Sequence, residues 1–160
     1  MDIFLEQIEE AKKALKIADH LTYITFPLIG DEKIINMITD NLQISLIKAI
    51  EALLNYEKYY KRIVSVPENF EDKFYIFKDE VSKRYNINNE TILSVKDINE
   101  IANNRKKSHT NFLKKDNFVL FTNEYKVKTL NLKKIKDYIN IAKVLINKVD
   151  MVIGKNARRF

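Results

Sequence analysis

The stretch DEKIINMITDNLQISLIKAIEALLNYEKYY, residues 31–60, decides the fold. Ile34, Ile38, Leu42, Ser45, Ala49, Leu53, Tyr56 and Tyr60 recur at three- and four-residue spacing, so they share one stripe of an α-helix. A second stripe of Ile35, Leu46, Ile50 and Leu54 widens the apolar face. A face that broad belongs to the central helix of a bundle, which must meet neighbours on two sides. Asp31 stands where an N-cap is wanted, its carboxylate free to accept from the first backbone amides.

The same period extends outward. Upstream, Phe4, Ile8, Ala11, Leu15, Ala18 and Leu21 predict a helix from Asp2 to about Thr25, ended by Pro27 and Gly30. Downstream, Val64-Ser65-Val66-Pro67 breaks the central helix, because a residue before proline is pushed towards extended geometry. Phe70, Phe74, Phe77, Val81 and Tyr85 predict a third helix from about Glu68, and Ile92, Val95, Ile98 and Ala102 a fourth starting at Asn89 or Thr91. Between Asn117 and Leu130 helical period gives way to alternation: Phe118 and Leu120, then Tyr125, Val127 and Thr129, flank Thr122-Asn123-Glu124 and predict a β-hairpin. A last helix runs from about Asn131 through Leu132, Ile135, Ile139, Ala142, Ile146 and Val149, with Gly154 at the position of a C-terminal cap. The expected architecture is mainly α: a single domain over residues 1–160, a bundle of about five helices with one short β-hairpin near 117–130 before the last helix.

Composition excludes several chemistries. Only two glycines, Gly30 and Gly154, occur among 160 residues, where average usage of about 7% would give roughly eleven. Glycine-rich phosphate cradles, dinucleotide turns and nucleophile elbows have no residues to build them. The absence of cysteine removes disulfides, thiolate nucleophiles and cysteine-based metal sites. His20 and His109 lie far apart and no clustered Asp/Glu pattern appears, so neither a metal nor a cofactor is expected. His20, beside Asp19 and with no second histidine nearby, reads as a structural or surface residue. The N-terminus lacks the basic stretch and apolar core of a signal peptide, and the uncharged run from His20 to Gly30 is too short to span a bilayer. A cytoplasmic protein without membrane insertion is expected.

Charge is divided along the chain. Residues 1–80 hold 10 Lys/Arg and 15 Asp/Glu, whereas residues 81–160 hold 18 and 7. Within Arg105–Lys136 ten basic residues face only Asp116 and Glu124. Such a concentration suits a polyanionic partner. Arg105, Lys106, Lys107, Lys114, Lys115, Lys126 and Lys128 are the candidate phosphate contacts, interleaved with Phe112, Phe118, Phe121 and Tyr125, which either stack on bases or fill the core. At the end of the central helix Tyr56, Tyr59 and Tyr60 with Lys58, Lys61 and Arg62 form an aromatic and basic edge that suits a partner or closes the core.

Asn103-Asn104-Arg105-Lys106-Lys107-Ser108-His109 is the candidate catalytic segment. On a helix Arg105 and His109 share a face, so the imidazole could move the proton of a ribose 2′-hydroxyl while the guanidinium stabilises charge on the phosphate. An Arg and a His set among polar residues in a helical chain resemble the HEPN superfamily, whose motif is Arg-x(4–6)-His; the spacing here, Arg105-x(3)-His109, departs from it. That resemblance implies a metal-independent ribonuclease acting as a homodimer. The course of Leu21-Thr22-Tyr23-Ile24-Thr25-Phe26-Pro27-Leu28, Phe70–Phe77, His109–Phe121 and Lys136–Val149 is similar to small helical proteins of reduced-genome archaea, which implies a helical fold and a cytoplasmic setting and carries no mechanism. Three readings follow: a non-catalytic module whose basic second half binds RNA or another polyanion, a HEPN-like ribonuclease, and an adaptor for an acidic protein partner.

Overall fold

A computed structural model describes the backbone of residues 2–107, 112–114, 117–121 and 127–157, and the side chains of residues 2–104 and 130–154. Five helical segments and a small sheet make up these residues. Helix α1 (Ile3–His20) runs on through a π-helical turn (Leu21–Thr25) into the short α2 (Phe26–Ile29), and α3 (Glu32–Tyr59) is the long central helix. Helix α4 (Phe70–Ile76), a second π-helical turn (Phe77–Val81) and α5 (Ser82–Arg84) form one continuous segment, followed by α6 (Asn89–Lys107). Strands β1 (Phe112–Lys114), β2 (Asn117–Phe121) and β3 (Val127–Asn131) precede α7 (Leu132–Ala157).

Both stripes of α3 are buried from Ile34 to Tyr56, with Ile38, Leu42, Leu46, Leu53 and Leu54 among the most enclosed side chains of the described residues, while Tyr60, at the end of the first stripe, is exposed. One continuous core joins them to Ile8, Ala11 and Ala18 of α1, Val95, Ile98 and Ile101 of α6, and Ile135, Ile139 and Ile146 of α7. The neighbours pack around α3 because each has its own apolar stripe and must cover it.

Polar contacts fix the direction of each neighbour. Gln7 and Lys48 tie α1 to α3 through Glu51 and Glu10. Lys12–Asp150 and Lys143–Asp19, each at 2.8 Å, set α1 and α7 antiparallel. Gln43 Nε2, buried on α3, donates to Asn99 Oδ1 and Asn103 Oδ1 of α6, both at 3.0 Å. One end of the bundle therefore collects the end of the first segment, the start of α3, the end of α6 and the start of α7. The sheet joins that end, since β2 touches α6 and β3 touches α7.

The hairpin has the expected position: β2 and β3 pair antiparallel with Asn117 opposite Asn131 and Phe121 opposite Val127. The adjoining β1 extends it to three strands in the order β1-β2-β3. Three residues are too few for alternation to announce a strand. Leu130 is buried, and Phe118 is its partner in register.

Two punctuation points differ from the sequence reading. Pro27 does not end the first segment; the π turn brings Phe26 N–H back to the Leu21 carbonyl, and Pro27 falls near the start of a new helical turn, where its missing N–H costs little. Gly30 ends the segment instead, at φ +66°. Gly154 lies inside α7, which continues to Ala157, so it is not the cap. The left-handed positions that close α3 and α5 are filled by Lys61 (φ 60°) and Asn86 (φ 54°) rather than by glycine. Arg62 N–H reaches back to the Glu57 carbonyl, and Ile87 N–H to that of Ser82, both at 2.9 Å, as in a Schellman cap.

A side chain at a left-handed position costs about 1 kcal/mol or more. Nothing lies within 4 Å of a Cβ built on Gly30, so Gly30→Ala should cost only that conformational strain. Lys61→Gly should raise stability by about 1 kcal/mol. Urea unfolding midpoints of the two variants check both expectations.

Candidate functional site

A carboxylate stands at the centre of the end away from the sheet. Glu57 follows Ile50, Leu53 and Leu54 on the apolar face of α3, and its side chain is 0% exposed. Burying an unpaired carboxylate is prohibitive, so partners must come to it. Arg84 Nη1 donates to Glu57 Oε2 and the Tyr85 hydroxyl to Oε1. Arg62 Nη1 lies 3.5 Å from Oε1 and donates to the Tyr85 hydroxyl at 3.1 Å. The Schellman turn at Lys61 folds Arg62 back over its own helix, and the guanidinium also sits over the rings of Tyr60 and Tyr56, at 5.4 and 6.0 Å. Burial, and then the bond to Glu57, push the Tyr85 phenol well above its ordinary value. The phenol therefore stays protonated and acts as a donor.

Tyr85 also borders a groove of about 480 Å³ whose other walls are Val144, Asn147, Lys148, Met151 and Val152 of α7. Lys148 Nζ donates to the Asn86 carbonyl at 3.0 Å. Both ammonium and tyrosine are thus held by the turn between α5 and α6. No reacting geometry follows from this arrangement: the carboxylate is enclosed and all its described neighbours are donors or cations, so it fastens the end of α3 to the following helices.

The opposite end holds the lysine-rich start of α7. Asn131 caps α7, its Oδ1 accepting from the Lys134 backbone N–H at 2.8 Å, and Lys133, Lys134 and Lys136 occupy the first two turns. No acidic residue lies in the first turn of α7. The other described helices of seven residues or more all carry one: Glu6 in α1, Glu32 in α3, Glu71 and Asp72 in α4, and Glu90 in α6. Lys136 Nζ lies 5.1 Å and Lys143 Nζ 5.9 Å from the ring centre of Tyr23, in the first π turn.

The sequence-predicted site residues belong to this end. Arg105, Lys106 and Lys107 form the last turn of α6, Lys114 closes β1 and Lys128 lies on β3, all described in backbone alone. His109, Lys115 and Lys126 lie outside the described residues, as does Tyr125. The Arg105/His109 pairing accordingly has no geometry to report. His20 is the exposed last residue of α1. Among the described residues no three His, Asp or Glu side chains converge to hold a metal ion, and no helix is long and apolar enough to cross a membrane.

Sequence reasoning missed Glu57, Arg84 and Tyr85 as a unit. The available signal was a glutamate falling on the apolar face of the central helix, which demands a cationic partner from elsewhere. It missed Tyr23 and the lysines of α7 as neighbours because their approach arises from antiparallel packing. Compared with protein-family models, curated proteins and solved structures, the chain matches none.

Arg84→Ala should lower stability by about 3 kcal/mol, because it takes the nearest cation from the buried Glu57 carboxylate. The sign of the alkaline dependence follows from Tyr85. Above the ordinary phenol value of 10.0 the unfolded chain releases the proton that the folded chain retains, so stability falls as pH rises through that range. Tyr85→Phe should make the fall shallower in urea titrations across alkaline pH.

Proposed function

We propose that this protein is a non-catalytic module that binds RNA or a similar polyanion through its basic end. The observation that carries the reading is the start of α7. Lysines in a first turn oppose the helix dipole, at about 0.3–1 kcal/mol each in low salt. The first turns of α1, α3, α4 and α6 each carry an acid, which offsets Lys33 in α3 and Lys73 in α4, whereas Lys133 and Lys134 at the start of α7 have no acid beside them in that turn. A polyanion bound there offsets the cost, because the exposed helix N-terminus and the ammonium groups attract phosphate together.

The surrounding chain supports the same reading. Arg105, Lys106 and Lys107 at the end of α6 and Lys114 and Lys128 on the strands all enter or leave the small sheet, with Lys115 and Lys126 adjacent in sequence. The backbone of Arg105, Lys106, Lys107, Lys114 and Lys128 lies at the same end of the bundle as Lys133, Lys134 and Lys136, while the Glu57 cluster holds the other end closed. Catalysis by Arg105 and His109 is not part of the proposal.

The variant Lys133→Gln/Lys134→Gln/Lys136→Gln tests it. Three lost phosphate contacts should reduce the slope of log affinity against log salt by about 2 for single-stranded RNA. Without RNA, the same variant should be slightly more stable than the parent, since cations leave the positive end of the dipole. RNA binding that is absent at low salt, or unchanged in the variant, would count against the proposal.

A further inference from the structure

We infer that the partner is single-stranded RNA with accessible bases and that Tyr23 is the platform on which a base stacks; this rests on the polyanion reading above. Tyr23 is 41% exposed although it is a large aromatic residue at the edge of the bundle. It lies within the π-helical turn Leu21–Thr25, a local widening of the helix that is frequently found at functional positions. The turn is anchored from beneath by Thr22, which is buried and donates its hydroxyl to the Ala18 carbonyl at 2.8 Å. The ring therefore stands on a fixed base.

Its neighbours are those that a base-stacking site requires. Lys133, Lys136, Asn140 and Lys143 follow each other at three- and four-residue spacing on α7, forming a stripe about 15 Å long. Lys136 and Lys143 from this stripe flank the Tyr23 ring. Lys143 is partly neutralised by Asp19 at 2.8 Å, whereas Lys136 has no carboxylate partner among the described residues. In the free protein the ammonium groups rest against the π-face. When a base takes that face, Lys136 turns to the flanking phosphate, exchanging a weak contact for a charge-assisted one. Asn140 is exposed on the same stripe and offers both a donor and an acceptor to a base edge. Duplex RNA hides its base faces, so the geometry selects single strands.

The protein has no tryptophan, so Tyr23→Trp introduces a single indole reporter at the platform. A short single-stranded oligoribonucleotide should quench its fluorescence, whereas inorganic polyphosphate should bind without quenching. Tyr23→Ala should weaken binding of the oligoribonucleotide by roughly five- to a hundredfold and leave polyphosphate affinity unchanged, and Tyr23→Phe should retain parental affinity for both. Thermal melts of each variant establish that the fold is kept. Equal quenching by polyphosphate, or parental RNA affinity in Tyr23→Ala, would overturn the stacking role. If that affinity is nonetheless lost in the triple α7 lysine variant, the polyanion reading survives alone. If no polyanion binds the parent protein, both fail. Quenching or a blue shift produced by anionic phospholipid vesicles, and not by RNA, would assign Tyr23 and its exposed neighbours Ile24 and Leu28 to a membrane surface and overturn the inference.

Discussion

Because α3 buries side chains on both stripes from Ile34 to Tyr56, no single neighbour can cover it. Helices α1, α6 and α7 must surround it, and the order of the chain then leaves them little choice of direction. A short link at Gly30 makes α1 antiparallel to α3, the turn at Asn86–Asn88 makes α6 antiparallel again, and α7 returns along α1. The two ends of the bundle acquire different chemistry as a consequence. Residues distant in sequence are brought together at each end by packing of the helix between them.

The two ends use charge in opposite ways. Near the end of α3, the enclosed Glu57 carboxylate gathers Tyr85 and the partly exposed Arg62 and Arg84, so that each cation has a partner. Such a cluster is poor at net stabilisation but specific in what it will accept, since any shift of α5 relative to α3 strands a buried carboxylate. At the start of α7, lysines are left against the helix dipole. One arrangement fixes structure, and the other leaves lysines without an acid beside them in the first turn of α7.

Much of the architecture was legible in local period. The stripes of α3, the apolar face of α7, the Asp31 cap and the alternation across Asn117–Leu130 all depend on residues a few positions apart, and all have structural counterparts. What could not be read depends on partners far along the chain. Glu57 meets Arg84 and Tyr85 across 27 and 28 residues, and Tyr23 meets Lys136 only after three helices have packed. Pro27 misled for a different reason. Proline marks the end of a regular helix, but a π turn just before it changes the hydrogen-bond spacing and lets the helical path continue to Gly30. The seven basic residues chosen from sequence lie between Arg105 and Lys128, whereas the lysines that meet the Tyr23 ring, Lys136 and Lys143, belong to α7.

The proposed division between a closed end and an RNA-binding end is tested most directly by amide hydrogen exchange of the whole protein with and without a short single-stranded oligoribonucleotide. Slowed exchange should be confined to the Leu21–Thr25 turn, the last turn of α6, the strands and the first turns of α7, with α4, α5 and the end of α3 unchanged. Protection centred on Tyr85 and the Val144–Val152 face of α7, or no change anywhere at low salt, would contradict the account.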